Sequence, residues 1–174
     1  MDGEADGALY LTMRMAQLLG MVETKQAADG EIALFRLGIA LAKLYTAKQA
    51  VAVVSEAIEC FGGQGYMEDT GLPRLLRDAQ VLPIWEGTTN VLALDALRVL
   101  RKPESLQVIE AELDRLNAPD RQCLIDVAHK AAKDDAESSE RGARRLAYTL
   151  ASSWMSGLLG ENAIKRRDNG LRLP

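Results

Sequence analysis

One acid stands in an apolar loop near the middle of the chain, in the run Ile84-Trp85-Glu86-Gly87-Thr88-Thr89-Asn90. A carboxylate beside an indole is expected to be poorly hydrated, a setting that favours proton uptake. Gly87 lets another group approach it closely. The hydroxyls of Thr88 and Thr89 and the amide of Asn90 fall at a helix start, where free N–H groups can meet an anion or a polar ring edge. These are the parts needed to take a proton from a weak carbon acid. A plainer reading stands beside it, since an acid just ahead of a helix is favoured by the helix dipole by ~0.3–1 kcal/mol whatever its chemistry. Upstream, Glu59-Cys60-Phe61-Gly62-Gly63-Gln64-Gly65-Tyr66 places glycines where a helix stops. Alone, this run is a helix end and turn; no strand precedes it, so it is not a dinucleotide fingerprint.

The elements that must position these residues read as helices throughout. The 174 residues are 48% hydrophobic and 26% charged, and only 5% are aromatic. Alternating β-branched runs are nearly absent, so strands are not expected. A chain this long can bury roughly 70% of its unfolded surface, enough for a real core. Leu9, Met13, Ala16 and Leu19 lie at helical spacing and predict a first helix over about 5–21, in line with the usual helical period. A long second helix is expected from an Asp29 cap to about Phe61, carrying Ile32, Phe35, Leu37, Ile39, Leu41, Leu44, Ala47, Val51, Val54 and Ile58 on one broad apolar face. A short helix follows Leu72-Pro73. Thr88 or Thr89 caps the next, which carries Val91, Leu94, Leu97 and Leu100 and stops at Arg101-Lys102-Pro103. Further helices are expected over about 104–116 and 119–160, with a break near 138–142 and a polar, fraying end over about 161–174. No internal repeat is evident. The fold class is all-α, an antiparallel helical bundle over 1–102 with a helical C-terminal extension over 103–174.

Charge and cysteine usage narrow the function classes. Lys+Arg is 21 against Asp+Glu at 25, a net charge of −4, which disfavours a general nucleic-acid binder. Cys60 and Cys123 are the only thiols and His129 the only histidine, too few ligands for a Cys/His zinc site. No uninterrupted apolar run reaches ~18 residues, so no membrane span is expected. The opening MDGEADGALYL has neither a basic stretch before an apolar one nor the arginines of a transit peptide.

Three runs taken together carry a resemblance: 57–66 (AIECFGGQGY), 72–79 (LPRLLRDA) and 84–90 (IWEGTTN). Their order and spacing resemble the C-terminal helical domain of the acyl-CoA dehydrogenases, most clearly over about 32–102. The Trp-Glu-Gly-Thr-x-Asn form and the helical tail are most similar to the branch that includes the AidB proteins. The resemblance implies oxidation of an acyl-CoA to the trans-2-enoyl-CoA with FAD. Glu86 would be the base that takes the α-proton, while a hydride from the β-carbon goes to the flavin. The backbone N–H of Glu86 would help polarise the thioester carbonyl, with Gly87 against the substrate. Thr88, Thr89 and Asn90 would contact FAD. Glu59, Gly62 and Gly63 match the segment that reaches the FAD of a neighbouring subunit, implying a homodimer or homotetramer. The family usually has Gln at the position of Glu59, and a carboxylate there would repel phosphate unless protonated or paired.

The resemblance also implies an electron-transferring flavoprotein as acceptor, and a mitochondrial location in a eukaryote or a cytoplasmic one in a bacterium. The chain is short for the family, whose N-terminal and middle domains supply most of the flavin and acyl pocket. It reads as a C-terminal portion, inactive alone, with an apolar face left open for oligomer contacts. Two alternatives remain. One is a non-catalytic helical oligomerisation module, for which polar substitutions over 91–100 would dissociate the oligomer. The other is an AidB-like DNA-associated flavoprotein, to which Arg141, Arg144, Arg145 and 165–167 would contribute. Asp134, Asp135, Glu137 and Glu140 make the field of that tail mixed, as on a solvated helix face.

Overall fold

Leu34, Leu37, Leu41 and Leu44 recur at steps of three and four, and all four are buried. That stripe makes helix α2 (Asp29–Glu59) the axis of the molecule, against which α1 (Asp2–Glu23), α4 (Leu72–Val81), α5 (Thr89–Leu100), α6 (Pro103–Arg115) and α8 (Ala136–Asp168) pack. Between them lie the single turn α3 (Gly63–Tyr66), a 3-10 turn (Glu68–Thr70) and α7 (Arg121–Lys133). The computed structural model describes residues 2–168, and no strand occurs among them. The all-α bundle expected from the sequence is therefore the observed fold.

Helices α6 to α8 share the core of the earlier helices. Leu106, Ile109 and Leu113 of α6, and Leu150, Trp154 and Leu158 of α8, join Leu11, Leu18, Leu37 and Leu97 in one apolar cluster. By length and composition α2 could cross a membrane, but its leucine stripe is spent on this core.

Gly38 marks where three helices meet. A Cβ built there would lie 2.6 Å from Met15 Sδ of α1 and 2.9 Å from Trp154 Cη2 of α8. Gly38→Val is expected to destabilise the chain by about 2–3 kcal/mol through overpacking, more than the ~1 kcal/mol regained by removing a helical glycine. A urea melt checks this, and unchanged stability would mean that the helices are not so closely apposed.

Several expectations need correction. The first helix runs two to three residues further at each end than 5–21. Its stripe Leu9, Met13, Ala16 and Leu19 is the open face, with Leu9 52% and Met13 58% exposed; Leu11, Met15 and Leu18 are the buried stripe. On α2, Ile32 and Ile39 likewise lie on the open side. Asp29 is the first residue of α2 and not its cap. Ala28 takes that place, and the Glu31 carboxylate accepts its N–H at 2.8 Å. The tail break falls at 134–135, ahead of 138–142, because the Asp135 carboxylate accepts the Ser138 N–H at 3.0 Å and so caps α8. Helix α8 continues to Asp168, and the rest of the end expected to fray, 169–174, lies outside the described residues.

Candidate functional site

The Glu86 loop is built from its two ends inward. Helix α4 closes with the N–H groups of Ile84 and Trp85 both donating to the Val81 carbonyl, at 3.0 and 3.1 Å. Glu86 then takes a left-handed backbone (φ 55°) and Gly87 a φ of 112°. Left-handed backbone costs a non-glycine residue ~1–2 kcal/mol, so the surroundings must impose it. On the far side, Thr88 stands at the start of α5 and its carbonyl accepts the Leu92 N–H at 3.0 Å. A Cβ on Gly87 would sit 3.1 Å from Leu92 Cδ2, so both its φ and its packing call for glycine.

The loop lies open. Glu86 is exposed, and its neighbours Ile84 and Trp85 are 63% and 53% exposed. The dry setting expected for the carboxylate is thus not provided by this chain, because the apolar side chains meant to exclude water themselves face water. Thr88 does not cap α5 through its hydroxyl, contrary to expectation, so the first turn has no side-chain acceptor. Thr89 is buried, while Thr88 and Asn90 are exposed beside Glu86.

Residues 59–63 form a second, separate group. Helix α2 ends at Glu59, and Gly62 turns the chain with φ 57°. Gly65 lets α3 fold back tightly, since a Cβ there would be 2.2 Å from the Ile58 carbonyl oxygen. A groove of about 630 Å³ opens beside this turn, lined by Glu59, Gly62, Tyr66, Met67, Leu76 and Arg77, among others. Arg77 is committed to a bidentate pair with Glu68 at 2.8 and 3.0 Å, which ties the 3-10 turn to α4.

The two groups do not meet within one chain. The Glu86 loop is held beside Lys43, and from Lys43 to Glu59 is sixteen residues of α2, about 24 Å at 1.5 Å per residue. Nor does any described cation pair with Glu59, whose carboxylate is exposed. For a phosphate-bearing cofactor such as FAD the fit is therefore divided. At Gly62 and Gly63 a Cβ would find no atom within 4 Å, so a ligand can approach the backbone there, and the uncapped start of α5 offers N–H donors. Glu59 itself does not fit a phosphate contact.

Sequence reasoning missed Lys43. Its ammonium lies 5.9 Å from the centre of the Trp85 ring and donates to the Leu82 carbonyl. The one signal was its position, a charged residue between the apolar Leu41 and Leu44. Arg144 of α8 also approaches this region, donating to Asn90 Oδ1 at 3.5 Å. The 91–100 surface needs correction too. Leu97 and Leu100 belong to the chain's own core and Val91 is the only apolar residue there that is largely exposed, so polar substitutions there would unfold the bundle before parting subunits. The open apolar side chains include Phe61, Tyr66, Met67, Leu75, Ile84 and Trp85, together with those on α1.

Comparison with known proteins agrees with this architecture. Residues 3–100 match the family model for the acyl-CoA dehydrogenase C-terminal domain, further toward the N-terminus than the three motifs reach. The chain is 44% identical over 169 residues to acyl-CoA dehydrogenase family member 11 of Caenorhabditis elegans, covering 94% of this chain and 26% of that protein. It is 47% identical over 100 residues to AidB of Escherichia coli (strain K12), covering 57% of this chain and 18% of AidB. The crystal structure of C. elegans ACDH-11 in complex with C11-CoA superposes with a TM-score of 0.82 at 39% identity, over 99% of this chain and 32% of that one. The chain thus spans between 18% and 32% of these longer relatives. With the helical bundle, the motif order and these matches in agreement, the chain belongs to the acyl-CoA dehydrogenase family, its residues 3–100 corresponding to the C-terminal domain.

Proposed function

We propose that this chain is the base-bearing part of an FAD-dependent acyl-CoA dehydrogenase that oxidises acyl-CoA to trans-2-enoyl-CoA. The observation that carries the reading is Glu86 itself. It is a carboxylate held in left-handed backbone at the tip of an exposed apolar loop, next to an uncapped helix start. Strained backbone of this kind clusters where geometry serves function. Glu86 takes the α-proton of the thioester onto a carboxylate oxygen. Its backbone N–H is suited to meet the thioester carbonyl oxygen, and Gly87 leaves room for the substrate. Covering the loop with substrate and a neighbouring domain or subunit would supply the desolvation that the chain alone lacks.

FAD, when bound, supplies the hydride acceptor for the β-carbon. Thr88, Thr89 and Asn90 would hold it from one chain, and Glu59, Gly62 and Gly63 from another, Glu59 through a contact away from the phosphates. The separation along α2, about 24 Å from Lys43 beside the Glu86 loop to Glu59, supports this division, since each copy then contributes half of two sites. A homodimer or homotetramer follows, and the open apolar side chains are suited to its contacts. An electron-transferring flavoprotein is the proposed acceptor.

On gel filtration the purified chain is expected to elute above the 19.0 kDa of a monomer and to be colourless after incubation with FAD. FAD retention is expected only when the family's other domains are supplied, for example in a chimera in which this chain replaces the matching segment of the C. elegans relative. A strict monomer in the chain and the chimera alike would sink the shared site. A purely structural helical module would form the same oligomer, and the Glu86 substitution described below separates the two. The DNA-associated reading has less support, because Arg141 pairs with Glu137 and Lys165 with Glu161.

A further inference from the structure

We infer that Lys43 is a positioning residue for Glu86, an inference that rests on the reading of Glu86 as the base. The left-handed turn at Glu86 and Gly87 needs restraint on both sides. Downstream, Leu92 packs against Gly87 and its N–H is bonded to the Thr88 carbonyl. Upstream, the last hydrogen bonds of α4 reach only to Trp85, and Pro83 cannot donate one. Lys43 fills that gap from a different element. Its ammonium donates to the Leu82 carbonyl and lies over the Trp85 ring, so one cation grips the loop at two residues, the second adjacent to Glu86.

The origin of that grip matters. Lys43 sits on α2, between the buried Leu41 and Leu44, so its own backbone is fixed by the core. The loop is thereby referenced to the central helix of the bundle, while its apolar side chains stay open for substrate or another domain. No other cation among the described residues hydrogen-bonds to, pairs with or lies over a ring in 82–86. Lys43→Met keeps the aliphatic stem and removes both contacts. Lys43→Arg keeps a donor and a cation, and tests the same idea should the Met variant fold poorly.

In the full 174-residue chain labelled with ¹⁵N, Lys43→Met is expected to move the Trp85 indole N–H resonance and the Glu86 and Gly87 amide resonances, and to speed exchange of the Ile84 and Trp85 amides bonded to the Val81 carbonyl by at least about tenfold. The indole of the buried Trp154 should stay in place, and Lys43→Arg should restore the pattern. In the flavin-loaded chimera, Lys43→Met is expected to lower kcat about 10- to 100-fold with KM nearly unchanged, the mark of a misplaced catalytic group. Trp85, Glu86 and Gly87 signals identical to wild type would overturn the inference. So would a wild-type kcat in Lys43→Met where Glu86→Gln is inactive. If Glu86→Gln keeps full activity, the base assignment fails instead, and the resonances alone decide whether Lys43 holds the loop.

Discussion

Glu86→Gln in the flavin-loaded chimera is expected to lower kcat by about 10²–10⁴-fold, the usual contribution of a positioned base. Gln keeps the size and backbone of the residue and loses only the ability to accept a proton. The backbone N–H that would meet the thioester carbonyl is unchanged, as are the loop contacts through Lys43 and Leu92. Acyl-CoA binding should therefore stay close to wild type while turnover collapses, since the lost interaction exists only along the reaction path. Wild-type turnover in this variant would remove the chemical reading and leave the helical assembly module.

Glu112→Ala is expected to cost about 2–4 kcal/mol of stability, by loss of the centre of a mostly buried ion network. The Glu112 carboxylate accepts from Arg14 at 2.8 and 3.1 Å, from Arg115 at 3.1 and 3.2 Å, and from the indole N–H of Trp154 at 3.3 Å. It thus joins α1, α6 and α8. Trp154 is wholly buried, and without Glu112 its N–H has no acceptor. The loss stays below the most severe cases because Arg115 is half-exposed and can regain water. Glu112→Gln keeps an acceptor for the indole and should cost less.

The same network sets a pH dependence. Burial pushes the Glu112 carboxyl upward, but the hydrogen bonds from Arg115 and Arg14 outweigh it and hold the group below its ordinary 4.5. A lowered folded value means that the stabilisation is fully present above pH ~4.5 and is lost as pH falls through the folded value. Glu161 shifts the same way: its burial acts upward and is outweighed by Lys165 and Arg115. The stability gap between wild type and Glu112→Gln, read by urea unfolding, should therefore be full at pH 7 and narrow by pH 3. A gap that does not change with pH would show that the carboxylate charge is not what stabilises the network.

How far the sequence reveals this molecule depends on which physics decides each feature. The helices of the 72–100 region were legible because Pro at a first turn and glycine at a turn act locally. The buried face of α1 was not, because α1 carries two apolar stripes and only the packing of α2 and α8 selects Leu11, Met15 and Leu18 over Leu9 and Met13. The break before α8 was misplaced because two acids, read as surface charge, include a helix cap at Asp135. The proposed roles of Glu86 and Gly87 rest on their types and order in the sequence. Their exposure was not legible there, since apolar neighbours in sequence do not bury a residue when they themselves face solvent. Lys43 was invisible because its partner loop lies about forty residues away in sequence and a helical lysine is ordinarily solvated.

Subunit mixing tests most directly whether Glu86 is the base of a site completed by a second copy. Chimeras carrying Glu86→Gln are refolded one to one with chimeras carrying Gly62→Val and Gly63→Val, each variant inactive alone. Random pairing makes half of the dimers mixed, with one intact site of two, so activity should return to about a quarter of wild type. Mixed dimers that form and remain inactive would contradict a site built from Glu86 of one chain and the glycine turn of the other.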